Sequence, residues 1–197
     1  MERDEIKQKI LLAAIDCIEE SGMDRVTMRK IAKKAEINSA MLNYYFGSKQ
    51  NLIDTVVQVT IDEGLSNNLN DYHDQWDNNT RAALCSFLYD TLTGMLKYPN
   101  ITKSHFYEVM VNNNYECVSI TSLKKFLDEL FGLVKGIIAG MSDTEKRVAF
   151  LQLFSAVIMM GLMPGLYSDN FHIELEDNDE RENIIMDLVK RYTASDT

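Results

Sequence analysis

The sequence predicts an all-α protein, and three observations support that fold class. Proline, which breaks helices, occurs only at Pro99 and Pro164 in 197 residues. Apolar residues recur at helical spacing through long stretches rich in Leu, Met, Ala, Glu and Lys, which are strong helix formers. Residues that cap helices stand immediately before several of these stretches. We expect a head of three helices at the N-terminus and a larger helical C-terminal domain, with about nine helices in all.

The predicted elements follow from periodicity and from cap and stop residues. The polar segment 71–79 is expected to be a loop, and Pro164 with Gly165 is expected to end the eighth helix. We place the domain boundary after the third helix, which gives domains of residues 1–47 and 48–197. The predicted helices occupy residues 4–20, 27–35, 39–46, 49–67, 80–97, 102–112, 119–139, 143–163 and 180–192.

Residues 26–48 contain an unusually dense set of helix-start signals. Hydroxyl or amide side chains that can cap free backbone amides stand at Thr27, Asn38 and Ser48. Apolar pairs that span a helix start lie at Val26 with Ile31 and at Ile37 with Leu42. Two short helices joined by a tight turn make the helix-turn-helix pattern, whose second helix enters the major groove of DNA.

The charge distribution agrees with a protein that touches DNA at one end only. The chain carries a net charge of −10, which argues against a wholly basic nucleic-acid coat. Residues 1–50 hold nine basic and eight acidic side chains, whereas the remainder holds 11 and 22. Residues 25–49 contain six basic residues and a single acidic one, Glu36. A local positive patch therefore lies on an acidic chain.

Residues 10–53, ILLAAIDCIEESGMDRVTMRKIAKKAEINSAMLNYYFGSKQNLI, resemble the N-terminal DNA-binding domain of the tetracycline-repressor (TetR) family. The most specific parts are residues 27–32, residues 42–46 and Lys49. The resemblance implies a third helix in the major groove. The residues it implies for base edges are Ser39, Ala40, Met41 and Asn43. Those it implies for phosphates are Thr27, Tyr44, Tyr45 and Lys49.

The chemistry of these residues agrees with the implied roles. Asn43 can pair through two hydrogen bonds with adenine, and Ala40 or Met41 can meet a thymine methyl group. Tyrosine hydroxyls and lysine bind phosphates. The alternative is that the aromatic residues belong to the core, which we prefer for Phe46. A solvated helix face is the alternative for Lys30, Lys33 and Lys34, and we prefer it for at least one of the three.

Two departures from the family pattern stand out. Glu36 occupies the turn, where the family commonly has glycine, and a non-glycine residue there predicts a strained turn with its charge toward the DNA. The family's frequent Thr-Leu-Tyr appears as Met41-Leu42-Asn43, so the base preference of a relative does not transfer to this chain.

Residues 148–167 carry no charge over 20 positions. A membrane-spanning helix is one interpretation; a helix buried by its own fold and a partner subunit is the one we prefer. The resemblance implies that residues near 145–165 and 181–192 pair two chains into a four-helix bundle. Such a homodimer would present two reader helices to a near-palindromic double-stranded DNA operator.

The resemblance also implies a pocket for a small, largely apolar effector within the C-terminal domain. Our candidates for ligand contacts are Phe87, Phe106 and Met110, with His105 as a polar anchor. Ordinary core packing, and a satisfied structural role for the histidine, are the alternatives.

No motif points to catalysis, to a cofactor or to a metal. The sequence lacks a phosphate loop, GxSxG and HExxH, and its three cysteines form no CxxC. Asp169, His172, Glu174 and Glu176 are better explained as an exposed acidic loop than as ligands. The scattered cysteines and the charged N-terminus favour a cytoplasmic protein.

We therefore predict a ligand-responsive transcriptional regulator, a repressor that acts as a homodimer, with no enzymatic activity. The alternative is a helical small-molecule-binding protein or enzyme whose N-terminal motif is not used on DNA. A third hypothesis is a regulator anchored in a membrane by residues 148–167.

Overall fold

The computed structural model describes residues 3–67, 69 and 72–194, and over these ranges the chain forms 11 α-helices and no strand. The all-α prediction is confirmed. A 3₁₀ turn covers Met23–Arg25, and one π-helical segment, Asp62–Asn67, continues the fourth helix. The helices are α1 Arg3–Ser21, α2 Met28–Lys34, α3 Ser39–Phe46, α4 Lys49–Ile61, α5 His73–Asn78, α6 Thr80–Lys97, α7 Pro99–Asn112, α8 Val118–Val134, α9 Asp143–Leu162, α10 Pro164–Phe171 and α11 Asn178–Tyr192.

Two short helices were not predicted. Helix α5 lies in the polar segment that we expected to be a loop, whose residue 71 lies outside the described residues. Trp76 anchors this helix, because its indole is buried and its Nε1 donates to the carbonyl of Leu69 at 3.1 Å. Helix α10 begins at Pro164, which ends α9 as predicted and then serves as the first residue of a new helix.

Helix α8 ends five residues before the predicted residue 139. The chain then turns, and Ile138 forms an isolated antiparallel bridge with Thr193. The amide of Ala139 donates to the carbonyl of Tyr192, and the amide of Ala194 donates to that of Ile137, both at 2.8 Å. An extended pairing of this kind removes residues 137–139 from the helix.

The contacts divide the chain into two compact units. Unit 1 consists of Met1–Glu63 with Tyr98–Leu123, and unit 2 of Gly64–Lys97 with Lys124–Thr197. Unit 1 thus contains the predicted N-terminal domain and, in addition, α4 and α7. The predicted boundary after residue 47 remains a proposal about functional division, because packing joins α1 to both of these helices.

Unit 1 is built on the buried face of α1. Ile10, Ala14 and Ile18 are fully buried on that helix, and Ile31 of α2 and Leu42 of α3 are fully buried as well. The three residues on α1 recur every four positions, which is the spacing of one helical face. The head therefore has its own apolar core.

Unit 2 is built around a chain of aromatic rings on α6, α8 and α9. Phe87 stacks on Phe126 with ring centroids 5.7 Å apart, and Phe126 lies 5.8 Å from Phe154. Phe87 is fully buried. Arg181 of α11 is also buried, and it donates to the carbonyl of Leu175 at 2.6 Å.

The uncharged segment 148–167 is divided between α9 and α10. In the part of the chain that the structure describes, no single helix has the length and apolar character needed to cross a membrane. Only α9 and α10 taken together meet that test, and they are bent by 83° at Met163.

Candidate DNA-binding surface

Local capping fixes the start of every helix in the reader region, as predicted. The Thr27 hydroxyl accepts from the amide of Lys30 at 3.3 Å. The side-chain Oδ1 of Asn38 accepts from the amide of Met41 at 2.8 Å, and the Ser48 hydroxyl accepts from the amide of Asn51 at 3.1 Å. Each cap satisfies a backbone amide that the helix itself leaves free.

The turn between α2 and α3 is tight and contains a left-handed residue. Glu36 has φ 53°, a conformation that favours glycine. The turn is closed by the amide of Ile37, which donates to the carbonyl of Ala32 at 3.0 Å. The expectation that a non-glycine residue here is strained agrees with this backbone geometry.

The charge of Glu36 is paired within unit 1. Its Oε2 lies 2.9 Å from Nζ of Lys9 on α1. The hydrogen bond from Lys9 holds the pKa of the Glu36 carboxyl below its usual value. The carboxylate therefore reaches the surface as half of an ion pair, which reduces the repulsion from DNA that its isolated charge would cause.

Backbone strain at Glu36 predicts a stability difference between two substitutions. Glu36→Gly and Glu36→Ala both remove the ion pair with Lys9, but only glycine adopts a positive φ without a steric penalty. We expect the glycine variant to be more stable than the alanine variant by about 1 kcal/mol, as measured by urea unfolding followed by circular dichroism. Equal midpoints for the two variants would show that the turn is not strained.

Helix α3 buries one face and exposes the other. Leu42 and Phe46 point into the core of unit 1, and the expectation of a core role for Phe46 agrees with its burial. At 100° per residue, four exposed positions share an arc of about 140°, in which Ala40 and Tyr44 lie opposite the buried pair. These are Ser39, Ala40, Asn43 and Tyr44. We call these four residues the reader face.

Met41 and Tyr45 lie at the edge of the reader face and are half-buried. The ring of Tyr45 packs edge-on against Tyr44, with centroids 5.4 Å apart. Tyr44 itself is 73% exposed. Of the base-contact candidates, Met41 is therefore the least accessible, whereas the phosphate candidate Tyr44 is largely exposed.

The phosphate candidates frame the reader face at helix starts. Thr27 precedes α2, and Lys49 is the first residue of α4; both are exposed. The Thr27 hydroxyl accepts one hydrogen bond as a cap, so its own proton remains available for donation. Free amides at helix N-termini add partial positive charge at such positions.

Not all of the basic residues near the turn are directed to solvent. Nζ of Lys34 is paired with Glu20 and lies 3.4 Å from Asp16, both on α1. The hydrogen bond with Glu20 raises the pKa of Lys34. Lys30 donates to the carbonyl of Arg25 at 2.9 Å. Lys34 thus joins α2 to α1, while the exposed basic residues are Arg25, Arg29, Lys30, Lys33 and Lys49.

The ligand candidates fall in both units. Phe87 lies in the aromatic core of unit 2, whereas His105, Phe106 and Met110 lie on α7 in unit 1. Phe106 is half-buried and Met110 is 72% exposed. Phe106 and Met110, which lie one helical turn apart on α7, therefore differ in their access to solvent.

His105 of α7 is hydrogen-bonded to α4. Its Nε2 lies 2.8 Å from Oγ1 of Thr60. Burial lowers the pKa of the imidazole to about 4, so the ring is neutral at physiological pH. A neutral, hydrogen-bonded histidine fits the structural role that we named as the alternative to ligand binding.

A cleft within unit 1 was not predicted from the sequence. It has a volume of 540 Å³ and lies between α4 and α7. Its lining includes the buried residues Ile53, Val57 and Ser104, and Lys49 also lines it. The residues that line it are far apart in the sequence, so no local sequence pattern predicts the cleft. Within the described residues, no group of three or more His, Cys, Asp or Glu side chains is placed to hold a metal ion.

Comparison with known proteins agrees with this geometry. The profile described as "Bacterial regulatory proteins, tetR family" matches residues 10–56, which contain α2, α3 and the reader face. The chain is 27% identical over 180 residues to the "Probable HTH-type transcriptional regulator YttP" of Bacillus subtilis, and the match covers 85% of this chain and 83% of that protein.

Two solved structures share the whole fold. A TetR-like transcriptional regulator from Rhodococcus sp. RHA1 superposes with a TM-score of 0.64 at 18% identity, over 97% of each chain. The regulator FadR from Bacillus subtilis, in complex with stearoyl-CoA, superposes with a TM-score of 0.70 at 17% identity, over 92% of this chain and 96% of that one. The matching profile thus identifies residues 10–56 as the N-terminal domain of a TetR-family regulator, and the solved structures show that the rest of the chain has the fold found in TetR-like regulators.

Proposed function

We propose that the protein is a homodimeric, ligand-responsive repressor that binds a near-palindromic operator through the reader face and acts in the cytoplasm. The observation that carries the proposal is the reader face itself. Its four residues are exposed on one side of a helix whose other side is buried, and two capped helix starts stand beside it. The proposal assigns the chain no catalytic role.

Contacts to bases are assigned to Ser39, Ala40 and Asn43, with Met41 at the edge. Asn43 is the most discriminating of these residues, because its amide can donate to and accept from the edge of one adenine. Thr27, Tyr44, Tyr45 and Lys49 are assigned to phosphates. These contacts fix the register of the helix on the duplex, and they make binding sensitive to salt.

The surface of α9 supports the proposed dimer. Val148, Leu151 and Met159 are between 42% and 50% exposed, on a helix that carries no charge after Arg147. Met186 on α11 is 45% exposed as well. Apolar side chains exposed along neighbouring helices are typical of a surface that a partner covers. We propose that α9 and α11 pair with the same helices of a second copy.

The proposed effector is small and largely apolar, and Phe87, His105, Phe106 and Met110 remain the candidates for its contacts. His105 offers an uncharged polar group on α7. Because the structurally similar FadR was crystallised with stearoyl-CoA, this acyl-CoA is the first probe to use. An effector that binds one state of the dimer better than the other would shift the population of DNA-binding molecules.

Fluorescence anisotropy with labelled DNA from the region flanking the gene tests the proposal. We expect the intact dimer to bind this duplex roughly 1,000-fold or more tightly than a scrambled duplex of equal length. The affinity should fall steeply as salt rises. Addition of stearoyl-CoA, with coenzyme A as the matched control without an acyl chain, tests the effector class. Equal affinity for the two duplexes would overturn the proposal.

A further inference from the structure

Helix α7 lacks a local N-terminal cap. Its N-cap residue is Tyr98, whose side chain makes no capping hydrogen bond, and its first helical residue is Pro99, which has no amide proton. The next two amides, those of Asn100 and Ile101, belong to the first turn of the helix, where no intrahelical acceptor exists. A polar partner from elsewhere is needed.

Glu19 of α1 supplies that partner from 81 residues away. Its Oε2 accepts from the amide of Asn100 at 3.1 Å and from the amide of Ile101 at 3.0 Å. The Asn100 side chain donates in return to the backbone carbonyl of Glu19 at 2.7 Å. The contact is therefore reciprocal, and the carboxylate lies where the helix dipole favours negative charge.

The position of this contact along the chain gives it a role beyond stability. Helix α1 forms the base of the head that carries the reader face, and it packs against α2. The chain passes from unit 2 into unit 1 at Tyr98, one residue before α7 begins. A second tie within unit 1 joins the Tyr107 hydroxyl of α7 to the carboxylate of Asp24. Glu19 thus attaches α1 to the point at which the chain re-enters the unit.

We propose that Glu19 is a positioning residue for DNA recognition, which holds α1, and with it the reader helix, in a fixed orientation on α7. The inference rests on the proposed function. A dimer gains affinity from its second half-site only if both reader helices are held where the operator needs them. Loosening α1 from α7 leaves every DNA-contacting side chain chemically unchanged, but it lets the reader helix shift and so lowers the gain from the second half-site.

The test compares Glu19→Ala and Glu19→Gln with Asp16→Asn in the full-length dimer. Asp16→Asn is the matched control, because it removes one negative charge from an exposed position on the same helix, where Asp16 pairs with Lys34 of α2. The hydrogen-exchange rates of the amides of residues 100 and 101 measure how well Glu19 caps the helix. Anisotropy with the flanking DNA and with the scrambled duplex measures recognition, and thermal unfolding checks that each variant folds.

We expect Glu19→Ala to speed exchange of the two amides roughly 5- to 30-fold, the effect of losing a helix cap. Binding to the flanking DNA should weaken about 10-fold or more, while binding to the scrambled duplex is unchanged. Glu19→Gln keeps an acceptor oxygen and should retain most of the specific affinity. Asp16→Asn should leave exchange at residues 100 and 101 unchanged.

Three results would overturn the inference. Unchanged exchange in Glu19→Ala would show that the carboxylate is not the cap. Faster exchange with unchanged specific affinity would leave Glu19 a purely structural residue, as would an equal loss of affinity for both duplexes. If the wild-type protein bound no duplex specifically, the proposed function would fail, and the role of Glu19 in DNA recognition would fail with it. Hydrogen exchange at residues 100 and 101 would still show whether Glu19 caps α7.

Discussion

Replacing Leu151 by glutamate is expected to split the dimer and to weaken operator binding roughly 100- to 10,000-fold. Leu151 is 49% exposed on α9, on the helix whose charge-free length we assign to the interface. In a paired interface the new carboxylate would have to lose its water without gaining a partner, which is strongly unfavourable. A monomer would then bind one half-site only and lose the contribution of the second reader helix.

Sedimentation velocity and anisotropy measure the two consequences in the same sample. The matched control is Leu133→Glu, which makes the same change at a leucine that is 43% exposed on α8, outside the proposed interface. We expect this control to remain a dimer and to bind DNA like the wild type. A dimeric Leu151→Glu variant would show that α9 does not form the interface.

Replacing Phe87 by alanine is expected to lower the free energy of unfolding by about 3–5 kcal/mol. The ring is fully buried and lies within 6.5 Å, centroid to centroid, of Phe126, Trp76 and Tyr72. Removing it leaves a cavity that surrounding aromatic rings cannot fill without moving. The same residue is a candidate for effector contact, so its stability effect bears on both roles.

Urea unfolding at a fixed protein concentration gives this value, since dimer stability depends on concentration. Phe171→Ala is the control, because that ring is 65% exposed on α10, and we expect it to cost about 0.5 kcal/mol or less. A loss below about 1 kcal/mol for Phe87→Ala would contradict the core role. It would then favour a ring that lines a space able to receive a ligand.

The reader region was predictable because its determinants are local. The caps at Thr27, Asn38 and Ser48 act on amides three residues away, so a short stretch of sequence contains both partners. The predicted limits of α3 agree with the structure, and those of α2 agree to within one residue. The likeness to the TetR family rests on the same short stretch, and the matching profile confirms it.

Contacts between distant residues could not be predicted in this way. Lys9 and Glu36 are 27 residues apart, and Glu19 caps a helix that begins 80 residues later. Each pair needs the tertiary fold to bring it together, and neither residue is unusual for its position on a helix surface. The turn at Glu36 was recognised as unusual from the sequence, but the lysine that neutralises it was not.

The two unpredicted helices show a related limit. Polar composition suggested a loop at residues 71–79, yet burial of Trp76 stabilises a short helix there. Pro164 was used only as a stop signal, although proline is equally suited to the first turn of a helix. Tertiary packing therefore explains the first unpredicted helix, and the second reflects the ability of proline to begin a helix as well as to end one.

Binding of the Asn43→Ala dimer to the flanking DNA and to a scrambled duplex tests the central claim, that the reader face recognises DNA bases. The control is Asn170→Ala, the same change at an exposed position on α10. We expect Asn43→Ala to lose about 1–3 kcal/mol of specific binding free energy per half-site and to keep its affinity for the scrambled duplex. Discrimination between the duplexes equal to that of the wild type would contradict the account.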